Sequence, residues 1–328
     1  MSPRPLVSVI VPAHNAGATV DAALESVFWQ GYEALEVIVV DDGSTDDTLA
    51  RLQRWGDRIT VLQQRKQGPA AARNLAWRHA KGELIAFIDA DDVWLPGKLL
   101  AQVAYLQAHP DVDVVFGRFD RWAPADGSNS WPQPPTAADH EQAVGRAQSQ
   151  AAPGATTHLH GWLYADLLQE SHVHIITALV RRSMMVAMSG FDEQWATGSD
   201  YEFWLRASRD HRMAQLDQSL AWYRIHPHSI TQRPRPVNAE YLLVQRAVSQ
   251  HGLTGPDGRS VSEATMRRRL HAIAFGHGYL LFWSRQLAWA HRCFSQALSH
   301  VAVHPKSWVY WCLTWPAAMQ AQWRGEHA

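Results

Sequence analysis

A series of short, β-branched apolar runs, each stopped by a polar cluster, constrains this chain more than any other feature. Leu6–Val11 reads Leu-Val-Ser-Val-Ile-Val, Leu35–Val40 reads Leu-Glu-Val-Ile-Val-Val, and Glu83–Ile88 and the shorter Ile59–Leu62 repeat the pattern. Runs apolar on both faces suit buried parallel strands. Between them, Val20, Ala23, Leu24, Val27 and Phe28 recur at helical spacing, and Thr48–Trp55, the Ala-rich Gly68–Ala80 and Leu99–Ala108 also read as helices. A further strand is expected at Val112–Phe116. Strand and helix in alternation predict an α/β fold with a right-handed, doubly wound sheet. Ligands in such sheets bind beyond the carboxyl ends of the strands. Here those ends carry His14-Asn15, Asp41-Asp42 and Asp89 to Asp92, so their side chains should converge on one crevice.

Composition removes several other classes. The 328 residues include 30 Lys and Arg against 31 Asp and Glu, a net charge of −1 that gives no basic excess for a nucleic-acid partner. Two cysteines cannot build a disulfide framework and fit a reducing, cytoplasmic setting. Met1-Ser2-Pro3-Arg4-Pro5 leads straight into a strand-like run without the apolar core of a signal peptide. No apolar run approaches the roughly 18 residues of a membrane-spanning helix. The 16 Trp and 18 His call for local explanations.

Asp41 and Asp42 follow a strand directly, before Gly43-Ser44-Thr45-Asp46. Turn chemistry with helix capping accounts for them. An acceptor for a base N–H or for ribose hydroxyls is the sharper reading. Neither a Gly-x-Gly-x-x-Gly loop nor a phosphate-binding Gly-x-x-x-x-Gly-Lys-Ser/Thr loop is present. Asp89, Asp91 and Asp92 place three carboxylates within four residues. Either they form a solvated acidic turn, or a hard divalent cation, Mg²⁺ or Mn²⁺, neutralises them and keeps positions open for phosphate oxygens.

Four segments in register carry a resemblance: Val7–Asn15 (Val-Ser-Val-Ile-Val-Pro-Ala-His-Asn), Val37–Asp46 (Val-Ile-Val-Val-Asp-Asp-Gly-Ser-Thr-Asp), Gly68–Asn74 (Gly-Pro-Ala-Ala-Ala-Arg-Asn) and Ala86–Asp92 (Ala-Phe-Ile-Asp-Ala-Asp-Asp). Together they resemble glycosyltransferase family 2, densely over about residues 5–120 and again over 177–231. The resemblance implies a GT-A fold and a nucleotide-diphosphate sugar donor. It places Pro12, Ala13 and Asn15 beside the nucleotide, Asp42 on the base (usually uracil) with Asp41 as its neighbour, and Arg73 near the nucleotide. It matches Asp89-Ala90-Asp91 to the family's DxD signature, with Asp89 facing ribose or metal and Asp91 binding the metal that bridges the diphosphate. Asp92 continues the common four-residue form.

Farther along, Gly198-Ser199-Asp200-Tyr201-Glu202-Phe203-Trp204-Leu205-Arg206 reads as a helix start with Ser199 as N-cap. Acidic residues belong in such a first turn in any case. The resemblance gives Asp200 a sharper part, that of general base, although the family's usual Glu-Asp pair is Ser199-Asp200 here. Glu202 is the runner-up. Tyr223-Arg224-Ile225-His226-Pro227-His228-Ser229-Ile230-Thr231 resembles the family's Tyr-Arg-x-His-x-x-Ser-x-Thr segment, which brings His226 towards metal or diphosphate and Arg224 towards phosphate. Asp92, Trp204, Glu202 and Arg224 complete the candidates for the donor-sugar and acceptor side, with Asp113, Asp120 and Arg121 behind them.

Residues 118–175 form an insertion-like connection with a helix expected at Gly161–Glu170, and Trp122, Trp131 and Trp162 can stack on sugar rings. His158, His160, His172 and His174 hint at zinc only by spacing, with no Cys to join them. Residues 237–328 read as mostly helical. They either pack on the catalytic domain or meet a membrane surface through Arg267–Arg269 and Trp308, Trp311, Trp315 and Trp323. The expectation is therefore a GT-A domain over 1–236 (nucleotide half about 1–117, acceptor half about 118–236) and a helical extension over 237–328. The resemblance further implies an inverting, metal-dependent transferase using a UDP-sugar and a saccharide or lipid-linked acceptor in cell-surface polysaccharide synthesis. Its place would be cytoplasmic, with possible contact at the inner face of the membrane. A sugar nucleotidyltransferase would need a Gly-rich loop and Lys after the first strand, which Pro12–Gly17 lacks. A degenerate nucleotide-sugar-binding scaffold would not need Asp42, Asp89, Asp91 and Asp200 together.

Overall fold

In the computed structural model the described residues are 4–122, 154–225 and 235–323, with single positions at 136, 138 and 141. They group into two compact units. One comprises residues 1–163 and 171–225, the other 164–170 and 226–328. The short helix Tyr164–Gln169, which the sequence grouped with residues 118–236, thus falls in the second unit.

The first unit is built on one mixed sheet. Its strands are β1 (Val7–Ala13), β2 (Leu35–Asp42), β3 (Thr60–Gln64), β4 (Leu84–Phe87), β5 (Val93–Trp94), β6 (Val114–Trp122), β7 (Thr156–Gly161), β8 (Leu179–Arg181) and β9 (Met213–Arg224). The order is β3-β2-β1-β4-β8-β6-β9-β5, with β7 paired to β9. β3, β2, β1 and β4 run parallel. β8 is antiparallel to both neighbours, and β6 and β9 are again parallel. Helices α1 (Val20–Phe28), α2 (Thr48–Gln53), α3 (Pro69–His79) and α4 (Lys98–Ala108) follow the early strands, as their spacing predicts. Val9, Ile10, Val11, Val39, Val40, Ile85 and Phe87 are wholly buried, the reward expected for runs apolar on both faces.

Two boundaries differ from expectation. Pro12 does not end β1 but lies inside it, opposite Val40. β4 pairs with β1 only as far as Ile10, so β1 has one free edge at Pro12, where a missing N–H is tolerated. β6 runs on past Phe116 to Trp122 because β9 accompanies it, with register shifts around Arg118.

Lys98 on α4 was not singled out by sequence, and it is fully buried. Its Nζ donates to Gln102 Oε1 at 2.7 Å and sits 4.1 Å from the centre of the Trp94 ring. Burial holds its amine well below the usual 10.5. In the unfolded chain the amine keeps that usual value, so at pH between the two values the unfolded state carries the extra proton. Stability therefore rises with pH across this window and is lost as pH falls through it, by about 1.4 kcal/mol per pH unit. Denaturant unfolding between pH 8.5 and 10 (roughly the top of that window) should show this slope in the parent and its loss in Lys98→Met.

The second unit joins helix α5 (Tyr164–Gln169) to α8 (Ala239–His251), α9 (Glu263–Trp283), α10 (Leu287–His300) and α11 (Pro305–Trp323). The Tyr164 hydroxyl lies 3.0 Å from both the Ala247 and the Gly252 carbonyl, which share its single proton. Leu281, Ala290, Cys293 and Phe294 form its core, packed by Phe275, Phe282, Trp289, Tyr310 and Trp311. A Cβ at Gly278 would stand 3.0 Å from the Cys293 Cβ, so glycine permits the close approach of α9 and α10.

Candidate active site

The carboxyl ends of β1 and β2 are tied together through their loops. Asn15, at φ 50, donates its N–H to Ser44 Oγ at 2.9 Å and accepts from the Thr45 N–H at 2.8 Å. Ala13 is buried opposite Asp41 and Pro12 is half-buried before it. The ring of His14 spans from the Asp42 carbonyl to Lys66 Nζ, at 2.9 and 2.8 Å.

Asp41 and Asp42 are both buried, and they do different work. Asp41 Oδ1 accepts from the Ser44 N–H at 3.2 Å and holds the turn. Asp42 Oδ1 accepts from Gln64 Nε2 and the Gln67 N–H at 2.7 Å each, and its Oδ2 from the Gly68 N–H at 2.8 Å. It so fastens the segment that opens α3. A carboxylate offers about four acceptor sites. Three are engaged, which leaves room for one donor such as a base N–H.

α3 carries the next two site residues. Arg73 is buried and pairs with Asp89 Oδ1. Asn74 points to the far side and locks the turn before the next helix. Its Nδ2 donates to the Phe191 carbonyl (2.8 Å) and Glu193 Oε1 (2.7 Å), while its Oδ1 accepts from the Phe191 N–H (2.9 Å). Gly190 has φ +80, and a Cβ there would stand 2.3 Å from Asn74 Oδ1. The sequence placed Asn74 in a motif without a role; its partners explain both it and Gly190.

After β4, Asp89 to Asp92 form a turn closed by the Asp92 N–H to the Asp89 carbonyl. Asp92 is buried and accepts from the Arg224 N–H at 2.8 Å, while its Oδ2 is buried without a hydrogen-bond partner. Burial first, then the charges of Asp91 and Asp89, push its carboxyl well above the usual range. Arg224 Nε donates to the Asp91 carbonyl at 2.7 Å, and its guanidinium lies 3.9 Å from the centre of the Trp122 ring. Trp122 is thus a buried platform for Arg224, not an open surface for sugar. The donor set is all hard oxygen, with mutually repelling carboxylates and an orphaned oxygen, and it fits a divalent cation of the Mg²⁺ or Mn²⁺ kind. Asp91 and Asp89 would hold it, with water and phosphate oxygens completing the shell. Among the described residues no group of three or more His, Cys, Asp or Glu forms a ready metal cage. His226 and Trp131 lie outside the described residues.

Helices α6 (Arg182–Met188) and α7 (Ser199–Ala207) complete the unit. The N-cap of α7 is Gly198 in the left-handed region, not Ser199, which is already helical. Asp200 is half-exposed in the first turn. Glu202 is committed elsewhere: its two oxygens accept from Arg206 Nε and Nη2 at 2.9 and 3.1 Å. Trp204 is completely buried against Phe203 and cannot stack on a sugar, which corrects its place among the sugar-side candidates. Its position was readable, since it falls on the apolar face of α7. Of the weaker candidates, Asp113 pairs with His211 and Asp120 accepts from Ser219.

His174 is the residue the sequence undervalued, weighing it only for zinc. Its ring packs between Phe119 (4.5 Å) and Tyr223 (4.9 Å), and its buried Nδ1 has no hydrogen-bond partner. Burial lowers its imidazole below the usual value, against the pull of Asp200, Asp89 and Asp91 and with the push of Arg73. Charges from three separated parts of the chain thus act on one neutral ring. The only sequence signal was its place just before the apolar Ile175–Thr177 turn.

The mixed sheet with its flanking helices is the architecture of the GT-A glycosyltransferases. Residues 8–159 match the Glycosyl transferase family 2 model. The chain is 27% identical over 230 residues to WfgD of Escherichia coli, a UDP-Glc:alpha-D-GlcNAc-diphosphoundecaprenol beta-1,3-glucosyltransferase, covering 69% of this chain and 79% of that one. WfaP of E. coli, described by the same activity, is 39% identical over 104 residues, 31% of this chain and 41% of its own length. Among solved structures, Staphylococcus aureus TarS 1-349 in complex with UDP-GlcNAc superposes with a TM-score of 0.62 at 19% identity, covering 98% of this chain and 92% of that one. The mannosyltransferase PcManGT of Pyrobaculum calidifontis, in complex with GDP-Man and Mn²⁺, gives 0.57 at 20% identity, covering 98% and 81%.

Proposed function

We propose that this protein is an inverting, metal-dependent glycosyltransferase that moves a sugar from a UDP-sugar to a lipid-linked or saccharide acceptor in the synthesis of a cell-surface polysaccharide. The observation that carries the reading is the acidic Asp89–Asp92 turn at the end of β4, where Arg73 pairs with Asp89 and Arg224 donates to the Asp91 carbonyl, within a chain whose residues 8–159 match the Glycosyl transferase family 2 model. The printed activities of WfgD and WfaP support a UDP-sugar and a diphosphoundecaprenol-linked acceptor. The catalytic domain would span residues 1–236, with the nucleotide in its first half and the acceptor in its second. It would work on the cytoplasmic side, where nucleotide sugars are made.

Pro12, Ala13 and Asn15 border the nucleotide, and Asp42 offers its remaining acceptor site to the base. Arg73 orients Asp89. A divalent cation held by Asp89 and Asp91 would neutralise charge on the departing diphosphate. Asp200 takes the proton of the acceptor hydroxyl as its oxygen attacks the anomeric carbon. One displacement inverts that carbon, so an α-linked donor gives a β-linked product.

The test is transfer of radiolabelled glucose from UDP-glucose to a synthetic GlcNAc-diphospho-lipid with Mn²⁺ present. A labelled, β-linked disaccharide lipid supports the reading. Transfer with retention at the anomeric carbon would refute the single displacement, and no transfer from any UDP-sugar to this acceptor would refute the substrate assignment.

A further inference from the structure

Helix α11 buries two polar residues and exposes a broad apolar face, although its Tyr310 and Trp311 pack on the core of the unit. Its polar residues Ser307 and Thr314 are completely buried. Ser307 Oγ meets His271 Nε2 at 3.0 Å and His304 Nδ1 at 2.8 Å, and Thr314 Oγ1 donates to the Tyr310 carbonyl at 2.8 Å. Its outward face instead presents Trp308, Val309, Leu313, Trp315 and Met319, between 41% and 57% exposed. An ordinary surface helix has the opposite arrangement. The last turns of α9 add exposed Leu280 and Trp283.

The charge of this stretch is equally one-sided. Residues 264–325 contain seven Arg and Lys and no Asp or Glu, although the chain as a whole carries −1. Arg267, Arg268, Arg285, Arg292 and Lys306 are all exposed. No described helix is long and apolar enough to cross a membrane. Apolar side chains with interfacial tryptophans, in a stretch of sequence whose only charged residues are cationic, match an anionic lipid surface that is entered shallowly and not spanned.

We infer that the outward face of α11 is a monotopic docking surface for anionic phospholipid. Tryptophans 308 and 315 and Leu313 enter the headgroup boundary, and the flanking cations meet lipid phosphates. The inference is independent of the catalytic reading, since docking is measured without donor or acceptor.

Flotation of the full chain with vesicles is the test. The protein should bind phosphatidylcholine vesicles containing phosphatidylglycerol, bind pure phosphatidylcholine far less, and release as salt rises. Combined Trp308→Ser, Leu313→Ser and Trp315→Ser should weaken association by about tenfold or more with the circular dichroism spectrum unchanged. If that variant misfolds, Arg285→Gln with Arg292→Gln and Lys306→Gln should remove the preference for phosphatidylglycerol. No flotation with either vesicle, undiminished flotation of a folded triple variant, or a concentration-dependent dimer lost in that variant would each overturn the inference, the last by assigning the face to a second copy.

Discussion

Asp200→Asn is expected to abolish transfer and to leave UDP binding as in the parent. The carboxylate of Asp200 sits in the first turn of α7, half-exposed, where an acceptor hydroxyl can reach it. An amide is nearly the same shape but takes up no proton. Removing a positioned base costs about 10²–10⁴-fold in rate. Glu202, two residues on, lies on nearly the opposite face of α7 and is held there by Arg206, which donates to both of its oxygens. Single-turnover transfer and nucleotide titration on the same sample separate the two effects. Transfer at parental rate would remove Asp200 as base; joint loss of transfer and UDP binding would mean that it serves the donor.

Asn74→Ala should destabilise the fold by about 2–4 kcal/mol, read as a shift in the urea midpoint at constant slope. The Phe191 N–H and carbonyl are buried and use Asn74 as their partner. Leaving two such groups unsatisfied costs about 1–3 kcal/mol each, part of it recovered by water. The junction also holds the site. Phe191 packs edge-on against Phe87 of β4 and 4.5 Å from Phe203 of α7, so the turn fixed by Asn74 links the strand before Asp89 to the helix of Asp200. Transfer should therefore fall in the variant even where it remains folded. A midpoint within the error of the parent would contradict this account of the junction.

The parallel half of the sheet was legible because its strands are short, apolar on both faces and bounded by polar turns, a pattern few other structures produce. The other half was not. β7, Thr-Thr-His-Leu-His-Gly, has little apolar content and is held by its pairing with β9. β8 is three residues long and takes its antiparallel place from β4 and β6, partners distant in sequence. Pro12 read as a strand breaker because the free edge beside it depends on where β4 stops. Among site residues, local motifs pointed to the acidic clusters, and the pattern of α7 hinted that Trp204 belonged to the core. His174 and Lys98 owe their character to what surrounds them, and nothing local distinguishes a His between two rings from any other of the 18.

The central claim is that Asp42 and the Asp89–Asp91 pair bind a uridine diphosphate with a divalent cation. Calorimetric titration with UDP, repeated with GDP, each with Mn²⁺ and with chelator, tests it most directly. The account predicts saturable UDP binding that needs the metal, weaker GDP binding, and loss of the metal requirement's effect in Asp91→Ala. Metal-independent binding of equal strength, or no binding of UDP by folded protein with Mn²⁺ present, would contradict it.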